Sequence, residues 1–128
     1  MNDQAIEQEI QDKGADVAPR ITPTDVEAAI DTEVYFTAQH GVRGAAERME
    51  LHQRSPGGGA QMGSLGLLTF CVLVLRNGFT VTGESACASP ENFNAEIGRK
   101  IARQNAINKV WPLMGYELRS KIARWQAD

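Results

Sequence analysis

Apolar positions along this chain fall into three patterns, each predicting an element. In "TPTDVEAAIDTEVYF", Val26, Ile30, Val34 and Tyr35 recur at helical spacing. Thr22 with Pro23, or Thr24 with Glu27 in a capping-box spacing, offers the start of an N-terminal helix that ends beside Tyr35. Further on, "LLTFCVLVL" and "FTVTGES" flank Asn77-Gly78, which predicts an antiparallel hairpin with a type I′ turn. With 77 and 78 as the loop, Cys71 faces Glu84. Phe70, Val72, Val74, Phe79 and Val81 then share one face, and Cys71, Leu73, Leu75, Thr80, Thr82 and Glu84 the other. In "SPENF", Ser89 reads as an N-cap and Pro90 as the first helical residue. The helix that follows carries a stripe of Phe93, Ile97 and Ile101. Its Gly98 costs about 1 kcal/mol relative to alanine, which calls for a close contact with a helix or a ligand. Pro112 predicts a kink or restart near Trp111. A last helix then sets Leu118, Ile122 and Trp125 on one side.

Two segments fall outside these patterns. Residues 1–20 carry Asp3, Glu7, Glu9, Asp12 and Asp16 with few large apolar groups, so a flexible acidic tail with at most a transient helix is expected. Residues at about 40–64 include "SPGGGAQMGS", whose consecutive glycines predict a mobile insertion. The reading is one α+β domain over 21–128: an N-terminal helix, one hairpin and a long kinked helical region. A lone hairpin is marginal, and its first strand is apolar on both faces. With about 70 ordered residues, the chain is short of material for the Leu73 and Leu75 face, which predicts a homo-oligomer.

Composition narrows the function. A net charge of −3 argues against a general DNA-binding surface, no run is long and apolar enough for a membrane span, and the N-terminus lacks a basic leader. A cytoplasmic protein is expected. Cys71 and Cys87 fall on opposite sides of the predicted sheet, so two free thiols are expected, and His40 and His52 lack metal-ligand spacing. No nucleophile stands beside a base, and the glycine-rich stretch lacks the Lys-Ser/Thr of a phosphate loop, so neither a catalytic group nor a cofactor is expected. The polar chemistry gathers on the helix after Ser89. There Arg99 and Arg103, one turn apart, together with Lys100, form a basic surface that either clamps phosphate oxygens or is a solvated face paired with Glu96 or Glu117. Tyr35 offers a ring either for base stacking or for the core.

The motifs "NGFTVTGESAC", "SPENF", "GRKIARQNA" and "WPLMGYEL", with "TEVYF" upstream, resemble a family of small bacteriophage proteins that includes the anti-CBASS sponge proteins. The resemblance implies a non-catalytic homohexamer in the host cytoplasm. It would bind cyclic di- or trinucleotide messengers of bacterial immune signalling and keep them from their effectors. It also implies base stacking by Tyr35 in a dinucleotide site near Thr69 at protomer interfaces, and a separate trinucleotide site with a contact at Arg99. Leu67 stands where that family's phosphate-binding lysine would lie, two residues before Thr69, which favours trinucleotides. The alternative is an interaction module that grips a host protein through Leu73 and Leu75 on the exposed hairpin face. A nucleotide phosphodiesterase is the third reading.

Overall fold

A computed structural model describes residues 3–57 and 61–127. The elements run α1 (Asp3–Asp12), α2 (Pro23–Ala28), β1 (Ile30–Thr37), α3 (Ala38–Glu47), α4 (Met62–Leu65), β2 (Leu68–Leu75), β3 (Thr80–Ala86) and α5 (Ala95–Ala127). The three strands form one antiparallel sheet in the order β1-β2-β3. The architecture is α+β, as expected, but with a third strand.

That strand corrects the reading of the first helix. Thr22 does cap α2: its hydroxyl accepts from the Asp25 N–H while the Asp25 carboxylate accepts from the Thr22 N–H, with Pro23 in the first turn. The helix stops at Ala28, however, and residues 30–37 extend along β2, pairing Val34 with Val72, Tyr35 with Cys71 and Thr37 with Thr69. The segment "IDTEVYFT" is rich in β-branched and aromatic residues, and the hairpin alone would leave an edge of β2 unpaired. A long-range ladder therefore outweighs a local helical spacing.

The hairpin also differs from expectation by one residue. Arg76, Asn77 and Gly78 form a three-residue loop in which the Gly78 N–H donates to the Leu75 carbonyl and the Leu75 N–H to that of Phe79, both at 2.8 Å. Gly78 takes φ +90°, and Asn77 keeps a negative φ with its side chain accepting from the Phe79 N–H at 2.9 Å. A turn closed by a residue of positive φ adds one residue to the loop. Cys71 consequently pairs with Gly83, and Glu84 with Phe70. This shift exchanges the sides of β3, because side chains alternate with a period of two. Val81 joins Cys71, Leu73 and Leu75 in the core. Phe70, Val72 and Val74 share the opposite face with Val34, Phe36 and Thr82.

Helix α5 covers the Leu73 and Leu75 face, so these residues need no second subunit and are not exposed. Leu73 and Cys71 are fully buried, and Leu75 nearly so. The helix reaches them through a stripe of small residues. Gly98, Ala102, Ala106 and Val110 recur every four residues and are buried, whereas Ile97 and Ile101 from the expected stripe face solvent. A Cβ built on Gly83 would sit 2.1 Å from the Ala102 carbonyl oxygen, so β3 and α5 meet backbone to backbone. Asn94 caps α5 by accepting from the Ile97 N–H at 3.0 Å. Ser89 instead precedes a 3-10 turn at Pro90–Asn92, and its hydroxyl bonds the Glu91 carboxylate. The helix continues through Pro112 without restarting.

The expected tail contains a docked helix. Glu7 of α1 is buried and accepts from Arg20 at 2.6 Å and from Gln11 at 2.7 Å, which holds its carboxyl at a pKa of about 2. The Trp111 indole N–H donates to the Asp3 carboxylate at 3.3 Å. The expected insertion contains α3 and α4, while residues 58–60 of its glycine-rich stretch lie outside the described residues. Both cysteines are free, but the observed register, with Cys71 opposite Gly83, gives Cys87 the same parity as Cys71 instead of the opposite side of the sheet that the expected register implied.

Candidate functional site

A cleft of about 320 Å³ opens where β1 ends and α5 begins. Strand β1 delivers Tyr35 and Phe36, and β2 delivers Thr69, which pairs with Thr37 in the ladder. The chain then turns at Thr37, which caps α3: its hydroxyl accepts from the His40 N–H at 3.2 Å, and His40 Nδ1 accepts from the Thr37 N–H at 3.0 Å. This turn brings Gln39 and His40 to the cleft. Gln39 is fixed by donation of its amide to the Met62 carbonyl at 2.8 Å, which ties α3 to α4. Phe93, Ala95 and Arg99 line the side formed by the beginning of α5.

Thr69 is 4% exposed, and its Oγ1 would lie 3.1 Å from a Cβ at Gly98. Gly98 thus has the close contact its place in a helix called for. That glycine lets β2 and α5 approach, and the approach sets Arg99 beside Tyr35 and Thr69. Tyr35 donates its hydroxyl to Glu33 at 2.9 Å. Burial first, and the hydrogen bond to Glu33 second, push its phenol pKa up, so the ring carries no charge.

The cationic side chains divide sharply. Arg99 is exposed and, among the described residues, makes no ion pair or side-chain hydrogen bond. No carboxylate lines its cleft. Arg103, one turn on, is bound by two carboxylates, at 2.9 Å to Glu27 and 3.1 Å to Glu33. Burial opposes the charge on Arg103, but the hydrogen bonds to Glu33 and Glu27 outweigh it and raise its pKa; the same contact with Arg103 lowers that of Glu33. Lys100 pairs with Glu96 at 3.3 Å on the surface. The structure therefore brings Tyr35, Thr69 and Arg99, which the resemblance assigns to two separate sites, into one cleft and leaves Lys100 and Arg103 outside it. The two-arginine clamp does not form, because α2 and β1 present Glu27 and Glu33 to Arg103.

Sequence reasoning missed Phe36, Gln39, His40 and Phe93. The one local signal was Thr37 followed three residues later by His40, a helix start in a segment read as an insertion.

Chemically, the cleft combines three aromatic rings, an amide, an imidazole, two threonine hydroxyls and one uncompensated guanidinium. Such a set suits a small ligand that joins a planar group to an anion. The model of the Phage protein (N4 Gp49/phage Sf6 gene 66) family matches residues 21–122, and the chain belongs to that family. The match runs from the residue before the α2 cap deep into α5 and leaves α1 outside. No curated protein and no solved structure matches.

Proposed function

We propose that this phage protein is a non-catalytic binder of cyclic oligonucleotide second messengers, acting in the host cytoplasm to sequester signals of bacterial anti-phage defence. The observation that carries the reading is the convergence of Tyr35, Thr69 and Arg99 on one cleft in which Arg99 lacks a carboxylate partner. A phosphate meets Arg99 in charge-assisted hydrogen bonds, and a base lies against Tyr35 or Phe93. Sequestration needs tight binding and enough protein, not a lowered barrier. Nanomolar affinity corresponds to about −12 kcal/mol, more than one guanidinium and one stacked ring supply. The reading therefore includes a homo-oligomer in which several copies meet one ligand. The resemblance in the sequence motifs points to a hexamer and to cyclic trinucleotides.

The test is a calorimetric titration against a panel of cyclic di- and trinucleotides, with glycosyl-cyclic ADP-ribose types included. At least one should release heat, and Arg99→Ala should weaken its binding about tenfold or more, a loss of about 1.4 kcal/mol. Heat-denaturing the complex should return that ligand intact; a linearised product would instead identify an enzyme. Absence of heat with every member sinks the reading.

A further inference from the structure

Two neighbouring side chains at the start of α3, Gln39 and His40, line the cleft, and backbone groups fix which polar atom each has to offer. The Thr37 N–H can only donate, so the His40 Nδ1 that meets it at 3.0 Å carries no proton. The proton of the capping imidazole is therefore on Nε2, which remains a donor. The Met62 carbonyl can only accept, so the Gln39 amide turns its nitrogen towards it, at 2.8 Å. Its Oε1 is left as an acceptor and, among the described residues, receives no hydrogen bond. His40 is exposed and Gln39 half-buried. Both lie between "TEVYF" and the hairpin, outside the motifs that carry the resemblance.

We propose that Gln39 and His40 read the hydrogen-bonding edge of the ligand's base, with His40 Nε2 donating to a base acceptor and Gln39 Oε1 accepting from the adjacent base N–H. The inference rests on the nucleotide-binding reading and adds the part of the ligand that each wall of the cleft holds. A nucleobase presents an acceptor next to a donor, as adenine does with N7 beside its 6-amino group. A phosphate offers acceptors alone and would leave Gln39 Oε1 without a donor, so this wall does not suit the anion. Arg99, on the α5 side, does.

The rings of the cleft support the same division. Tyr35 gives its hydroxyl to Glu33 at 2.9 Å, so it has a face to offer rather than a polar tip. The Thr37 hydroxyl is taken up by the His40 N–H at 3.2 Å. A base that stacks on an aromatic face still has its edge to satisfy, and recognition of unstacked bases joins the two contacts. The two edge-reading groups are held in advance, one by the α3 cap and the other by the tie to α4, so little is spent on ordering them.

The test titrates the full chain with adenosine 5′-monophosphate and with ribose 5-phosphate, following the side-chain resonances of Gln39, His40 and Arg99. Both probes carry sugar and phosphate, and the first alone carries a base. His40→Asn keeps an acceptor for the Thr37 N–H where Nδ1 stands and removes the Nε2 donor. It should weaken the adenosine probe about fivefold, the size of one lost hydrogen bond, and leave ribose 5-phosphate within about twofold, with the thermal midpoint unchanged. On the unaltered chain, purine riboside 5′-monophosphate, which lacks the 6-amino group, should bind about fivefold more weakly than the adenosine probe. This arm needs no variant to fold. Equal weakening of both probes by His40→Asn overturns the assignment in favour of a phosphate or ribose contact. Weakening of both probes by Arg99→Ala, with no effect of His40→Asn or of the missing amino group, overturns it and leaves the nucleotide-binding reading standing. Resonances that move with neither probe also overturn it, while the cyclic oligonucleotide panel decides the parent reading separately.

Discussion

The two faces of the sheet come from one alternating sequence and meet opposite ends. On one, Cys71, Leu73, Leu75 and Val81 lie beneath α5 with Gly83 in backbone contact. On the other, Phe70, Val72 and Val74 are half-exposed beside Val34 and Phe36. Their hydrophobicity is similar, so composition does not separate them. The separation comes from small residues: a glycine on β3 and a glycine-alanine stripe on α5 allow close approach on one side only. Two arginines repeat the contrast. Arg103 is fully engaged with Glu27 and Glu33, while Arg99 faces a cleft without a counter-charge. What the fold uses internally is satisfied, and what it leaves unsatisfied is available for a ligand or a second copy.

Breaking the covered face should have the largest effect. Gly83→Val puts side-chain atoms where the α5 backbone lies, and a loss of more than about 4 kcal/mol, read as absent cooperative unfolding, is expected. Leu73→Ala leaves a cavity in the same face and should cost about 2–5 kcal/mol in chemical denaturation. Val72→Ala, one residue away on the open face, should cost under about 1 kcal/mol under dilute conditions. Equal losses at the two positions would erase the distinction between the faces.

The arginine pair sharpens the contrast at smaller scale. Arg103→Ala strips two carboxylates of their shared donor and should cost about 1–3 kcal/mol of stability. Arg99→Ala should change stability by less than about 0.5 kcal/mol, its effect falling on ligand affinity instead. The smallest effect concerns α1. The Glu7 carboxyl is held at about 2 against an ordinary 4.5, so its folded form is the more acidic. Its contribution is therefore present above pH 4.5 and fades as pH falls towards 2. In Glu7→Gln, the thermal midpoint should lose that part of its decline between these pH values.

Much of the chain was legible locally. Thr22-Pro23 marked the α2 start, the two apolar runs around Asn77-Gly78 marked a hairpin, and the helix after "SPENF" was found with its cap misplaced by five residues. Of the five candidate side chains, Tyr35, Thr69 and Arg99 line one cleft, for a reason no local pattern contained: Gly98 lets the strand carrying Thr69 reach α5. Arg103 resembled Arg99 in sequence because the acids that engage it are 70 and 76 residues away.

By itself the sequence determined the start of α2, the presence of the hairpin and the helix after "SPENF", since caps, turns and periodicity act over a few residues. Only the tertiary structure decided that residues 30–37 are a strand, that the loop holds three residues, and hence which side of the sheet is buried. A one-residue register shift costs little in the loop but inverts every side chain of a strand. That choice belongs to the helix that packs on the sheet, and it rests on glycines at 83 and 98, whose missing side chains carry no pattern of their own.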